Sequence, residues 1–330
     1  MTEPRQRARL LSAVLLLLLG GGACSRGPTR QEPRPPATTR TWRMGFAPTP
    51  PVLTTESLLA GVDAWGPRAE LTIFHEELPW TDLLAGMPPA DILQRDKVEL
   101  VAYLRARGLG IVWMSDLTDG LSRGEEAPQL RALGRSLAEP AVQQVARDYV
   151  LAVAVLLQPE YLGLAAETNL IRAAAPSPVY AAVVATANAT AADLLAAGVP
   201  STLCISVQVE TAWGLLVNSS YIGIAQDLDD FPFAEAIGLS SYPYFVFDTP
   251  DAMPADYYQR LVETTSLPVF VAEGGWTSAS VGAVVSSPEL QARYFERQAE
   301  LLDSVHATAW LQLLYADPDL STWPSPLPAN

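Results

Sequence analysis

Histidine and cysteine are scarce in this chain, with two of each among 330 residues. His75 and His306 stand alone, and no His/Cys spacing of the zinc-binding kind occurs. Cys204 sits in the apolar run Leu203-Cys204-Ile205, where a thiol packs as a small hydrophobe, and with Cys24 as its only companion no disulfide framework is expected. Also missing are a glycine-rich phosphate loop, an Asp-rich calcium loop and a Gly-x-Ser-x-Gly nucleophile elbow. No cofactor and no metal are therefore expected. Positive charge is short as well: the formal net charge is −15. A chain so acidic has no basic face for phosphates, which argues against nucleic acid as a partner.

The N-terminus carries a targeting pattern. Arg5, Arg7 and Arg9 precede the apolar run 10–19, which is too short to span a bilayer and fits the core of a signal peptide. Gly20-Gly21-Gly22-Ala23-Cys24 follows. Small residues before a cysteine resemble a bacterial lipobox, whose cysteine is lipidated after cleavage, although Gly21 stands where a leucine is usual. The expected layout is a signal peptide over 1–23, a Pro/Thr/Arg-rich tether over 24–41 and one folded domain over 42–330. That layout makes the protein an exported, probable-monomer lipoprotein held at the membrane through Cys24, or else a secreted protein.

Eight short, nearly continuous apolar runs predict strands over 43–47, 70–75, 110–115, 161–166, 201–207, 236–241, 268–273 and 309–315. Runs of this kind suit strands buried on both faces of a parallel sheet. Helical periodicity falls between them, over 96–107, 139–157, 178–197 and 288–304. Eight strands alternating with helices in a chain of this length predict a single α/β domain, a (β/α)₈ TIM barrel. Only about fifteen proline-rich residues follow the last strand, so a regular final helix is not expected: either the barrel closes without one or the chain is truncated.

Barrel chemistry gathers at the C-terminal ends of the strands. There the sequence offers His75 after strand two, Asp116 after three, Glu167 and Asn169 after four, Tyr242 after six, Glu273 and Trp276 after seven, and Trp310 on eight. Strands four and seven lie opposite one another, so Glu167 and Glu273 can meet over the barrel mouth. Two carboxyl groups about 5–5.5 Å apart are what retaining glycoside hydrolysis uses, one as nucleophile and one as acid/base.

Two segments carry a resemblance. Ile237-Gly238-Leu239-Ser240-Ser241-Tyr242-Pro243-Tyr244 and Val271-Ala272-Glu273-Gly274-Gly275-Trp276-Thr277 resemble the sixth and seventh strands of the endo-β-1,4-galactanase (arabinogalactan endo-galactosidase) family. The second is also similar to the Glu-Thr-Gly-Trp-Pro of plant endo-β-1,3-glucanases, in the same clan of retaining (β/α)₈ glycosidases. The resemblance implies a retaining glycoside hydrolase acting on a β-linked carbohydrate, with Glu273 as nucleophile and Glu167 as acid/base. It implies Tyr242 as a hydrogen-bond partner of Glu273 and Trp310 as the floor of the central sugar subsite. Trp276, Asn169, His75 and Asp116 complete the expected substrate-binding set. One departure stands out: the clan places a sugar-binding Asn before the acid/base, and here that residue is Ala166. Hence the competing expectation of a catalytically degenerate, glycan-binding barrel.

Overall fold

The computed structural model describes residues 40–217 and 219–322. The expected leader, the lipidation site Cys24 and nearly all of the tether lie outside the described residues.

Eight parallel strands close into a barrel in chain order. They are β1 (Arg43–Phe46), β2 (Leu71–Glu77), β3 (Gly110–Asp116), β4 (Tyr161–Ala165), β5 (Thr202–Gln208), β6 (Ala236–Ser241), β7 (Val269–Gly274) and β8 (Ala309–Gln312). Closure is made by β8 on β1, with Met44 opposite Trp310. The architecture is the (β/α)₈ TIM barrel, and every expected strand forms within three residues of its expected ends.

Alternation along each strand divides the core in two. Leu71, Ile73, Val112, Met114, Ala166, Cys204, Ala236, Phe270, Ala272, Ala309 and Leu311 fill the barrel interior. Their neighbours in sequence, among them Trp113, Leu162, Ile205, Leu239, Val271 and Trp310, face the helical layer. An eight-stranded barrel is wide enough only for such a side-chain filling, so the fold is a packed cylinder with a working end.

The helices Pro140–Leu157, Ser177–Ala197 and Pro288–Ser304 agree with expectation. The expected helix over 96–107 forms as Val98–Arg105, and a further helix that was not expected, Pro89–Asp96, precedes it. They meet at Lys97, whose backbone leaves helical geometry (φ −131°, ψ −35°) while its ammonium pairs with Glu76. After β8 the described chain forms only a 3₁₀ turn, Leu320–Thr322. This segment is tied to the β1 end through Asp319 N–H donating to Pro51 O and Leu53 N–H to Thr322 Oγ1. The closure of β8 on β1 thus needs no helix among the described residues.

Candidate active site

Strict alternation would not aim Glu273 into the barrel mouth. On β7, Ala272 already points inward, so Glu273 should point out. The register on β6 slips there, taking Val271 opposite Leu239 and then Glu273 opposite Ser240. The extra residue turns Glu273 inward, as bulges beside functional sites do. The next two residues must be glycine: Gly274 (φ 146°) and Gly275 (φ 153°) adopt left-side backbone, and a Cβ on Gly274 would lie 2.1 Å from Ser241 O.

On β4 a similar slip falls between Gly163 and Ala165. Ala166 points into the interior, and Glu167 then takes a left-handed conformation (φ 49°, ψ 48°), rare and costly for a non-glycine residue. Its N–H donates to Ser206 Oγ at 2.9 Å, and its carbonyl starts the helix Thr168–Ala174. Behind it, Thr168 Oγ1 donates to the buried Asp227, itself held by Arg172.

The two carboxyl groups meet over β6. Ser240 Oγ lies 2.6 Å from Glu167 Oε1 and 2.7 Å from Glu273 Oε1. Those oxygens can be no farther apart than the two lengths together, which is within the roughly 5–5.5 Å of a retaining pair. Both residues are 7% exposed, so the pair is nearly dry yet open to solvent. Glu167 Oε2 accepts from Arg123 Nε at 2.9 Å, and Arg123 Nη1 donates to Asp116 at 2.8 Å. His75 Nε2 stands 3.4 Å from Glu273 Oε2. Burial pushes Glu273 above the ordinary glutamate value; the charge of Glu167 adds to that, while His75 and Arg123 work against it.

Arg123 arrives from the loop after β3. Asp119 Oδ1 accepts from the N–H groups of Leu121 and Ser122, Glu77 accepts from Gly120 N–H, and Thr118 bridges to Glu126. Neither Arg123 nor Ser240 stood out in the sequence. Arg123 lies in a loop with no motif around it. Ser240 ends the small interior series Ala236, Gly238, Ser240, and that series was the one available signal.

The remaining expected residues divide. His75 and Asp116 are at the site, against Glu273 and Arg123. Tyr242 is buried beside the pair, and burial followed by the neighbouring Glu273 charge holds its hydroxyl well above the ordinary tyrosine value. The hydrogen-bonding neighbour of Glu273, however, is Ser240, with His75 as a charged neighbour, and Tyr242 is fixed by its N–H donating to Glu210 Oε1. Asn169 is unavailable to a sugar: its amide bonds both N–H and C=O of Gln208 at 2.8 Å, clamping β4 to β5. Trp276 is buried between Tyr244 and Tyr294, with Nε1 donating to Ser286.

Trp310 requires a correction. It lies between inward-facing Ala309 and Leu311, so its ring points outward and packs on Trp42, Tyr294 and Phe295. It cannot be the sugar floor. The exposed ring at this end of the barrel is Tyr315, set edge-on to Phe46 at 5.5 Å. Trp310→Ala is expected to cost about 3–5 kcal/mol of stability, as large core truncations do, in equilibrium urea unfolding. Substrate affinity should be untouched.

Glu210 is a further buried carboxyl, outside the pair. Its Oε1 accepts from Tyr257 at 2.6 Å and from the N–H of Tyr242 at 3.0 Å, and burial pushes it up to about 7. A carboxyl raised on folding binds its proton more tightly in the native state. Its contribution is therefore full at low pH and is lost as pH rises from the ordinary 4.5 to about 7. Urea midpoints should fall across that window, and less steeply in Glu210→Gln.

No protein-family model matches the chain, and no curated protein sequence matches it. Solved structures share its fold. An exo-β-1,4-mannosidase, Op5Man5 from Opitutaceae bacterium strain TAV5, aligns at a TM-score of 0.63 and 14% identity, over 84% of this chain and 53% of its own. This chain thus spans about half the length of that enzyme. Fungal β-1,4-galactanases align at 0.52 and 14% identity, over 83% of this chain and 89% of theirs. A family 39 glycoside hydrolase from the gut symbiont Bacteroides cellulosilyticus WH2 aligns at 0.53 and 15%, over 83% and 56%. The fold of this chain is that of (β/α)₈ glycoside hydrolases.

Proposed function

We propose that this protein is a retaining glycoside hydrolase that cleaves a β-linked polysaccharide or oligosaccharide through Glu273 and Glu167. The observation that carries the reading is Ser240 Oγ within 2.7 Å of both carboxyl groups, which keeps them close enough for a retaining pair. In the first half-reaction Glu273 attacks the anomeric carbon while Glu167 protonates the departing oxygen. In the second, Glu167 deprotonates a water that releases the sugar from Glu273. β-1,4-Galactan and β-1,4-linked mannosides, the linkages in the names of the fungal galactanases and the Opitutaceae mannosidase, are the first candidates. The test is a screen of β-linked glycans by product chromatography, with Glu273→Gln as the control. Release that disappears in the variant supports the reading, and no release from any glycan refutes it. Tyr315 is the proposed stacking surface for a sugar ring, and Tyr315→Ala should raise KM about tenfold while kcat changes little.

A second reading has its own support. Ala166 takes the place of the sugar-binding Asn, and Arg123 holds Glu167 in an ion pair. Both would suit a barrel that binds a glycan without cleaving it. Calorimetric binding with no turnover, unchanged in Glu167→Gln, would favour that reading.

Export and anchoring through Cys24 complete the proposal. Labelling with an alkyne fatty acid, lost in Cys24→Ala, tests it; label retained in that variant refutes the anchor.

A further inference from the structure

Ser240 carries one hydroxyl proton but faces two carboxyl oxygens at hydrogen-bonding distance. It can donate to only one of them. Were both glutamates ionised, one contact would be oxygen against oxygen with no proton between, and two like charges would face each other in a nearly dry site. Both contacts are satisfied when one glutamate is protonated and donates to Ser240 Oγ while the serine donates to the other.

The surroundings decide which glutamate holds that proton. Glu167 has the Arg123 guanidinium on its second oxygen at 2.9 Å, an ion pair that exists only between charged partners. The second oxygen of Glu273 faces only His75 Nε2, at 3.4 Å. The other ionisable groups around the pair are Asp116 from β3, neutralised against Arg123, and Tyr242 and Tyr244 from the end of β6. None of these three offers Glu273 a positive charge; His75 and Arg123 do, and both work against its protonation. Burial still raises Glu273.

We propose that Ser240 relays a proton between the two glutamates, turning a resting pair with the proton on Glu273 into a reacting pair with the proton on Glu167. Glu273 Oε1–H gives its proton to Ser240 Oγ as Ser240 Oγ–H gives its own to Glu167 Oε1. Two O–H bonds break and two form, serine stays neutral, and one proton moves from Glu273 to Glu167. Glu273 then is the carboxylate needed for attack, and Glu167 the acid needed at the leaving oxygen. Arg123 opposes the transfer, so a bound substrate drives it, through the positive charge that develops beside Glu273. The catalytic consequence rests on the glycosidase reading, whereas the resting position of the proton does not.

The test is a ¹³C NMR titration of the full chain carrying carboxyl-labelled glutamate, assigned with Glu167→Gln and Glu273→Gln. The expected result is a Glu273 carboxyl protonated well above the ordinary glutamate range, with the Glu167 signal shifting in the same step. In Ser240→Ala the protonated Glu273 loses the acceptor of its proton, and the singly protonated pair loses its bridge, so the Glu273 midpoint should fall by on the order of one pH unit. Ser240→Thr should restore it. Ser240→Cys, nearly the same shape with a weaker donor and acceptor, should move it the same way as alanine and serves if the alanine variant fails to fold. In active preparations the acid limb of kcat/KM should shift downward in parallel. A Glu273 ionised throughout with the proton on Glu167, or a midpoint unmoved in the alanine and cysteine variants, overturns the relay. Absence of glycan hydrolysis by the wild-type chain would instead count against the glycosidase reading, leaving the titration meaningful.

Discussion

Glu273→Gln is expected to lower kcat on the best β-glycan by on the order of 10⁴-fold or more, the scale on which removal of a nucleophile is felt. Glutamine keeps the volume, and its amide can still meet Ser240 Oγ, so folding should change little. What it cannot do is form the glycosyl ester. The same change at Glu167 should be milder and selective, by about 10²- to 10⁴-fold, because acid catalysis matters less as the leaving group improves. The comparison is steady-state kinetics on a natural glycan and on an aryl glycoside with a good leaving group. Glu167→Gln should recover most of its rate on the aryl substrate. Glu273→Gln should not.

Arg123→Met is expected to be the most destabilising single change at the site, by about 3–5 kcal/mol, read from equilibrium urea unfolding. Arg123 is 6% exposed and lies between two carboxyl groups, Asp116 and Glu167. Methionine fills much of the space but leaves both acids inside the barrel mouth without their cation. The loss follows from charge left unpaired, so the double variant Arg123→Met with Glu167→Gln should recover part of it. Arg123→Lys should lie between, because an ammonium supplies the charge but not a planar fork reaching two acceptors at once. If Arg123→Met is as stable as the wild type, the ion pair does not organise the site.

The barrel was legible in the sequence because each strand is buried on both faces and so reads as a short apolar run. The helix Pro89–Asp96 was not, since it is short, opens on prolines and buries only Ile92 and Leu93. Glu167 and Glu273 were legible as charges ending apolar strands, where an idle carboxylate would be expensive. Their aim was not. It depends on two register slips and on a left-handed backbone at Glu167, and a pattern of period two would have sent Glu273 the other way. Trp310 shows the reverse: its outward direction follows from simple alternation between Ala309 and Leu311, and the family resemblance, placing an aromatic on the eighth strand, pointed elsewhere. Asn169 was expected among the substrate-binding residues, but its amide pairs with the backbone of Gln208 and is used up there.

The central claim is a pair of glutamates set for double displacement. The most direct measurement is the anomeric configuration of the first sugar released, followed by ¹H NMR in the first minutes of hydrolysis of a β-linked substrate, before mutarotation scrambles it. The account predicts the β-anomer first, with the α-anomer growing in later. The α-anomer appearing first, or no release from any β-glycan offered, would contradict it.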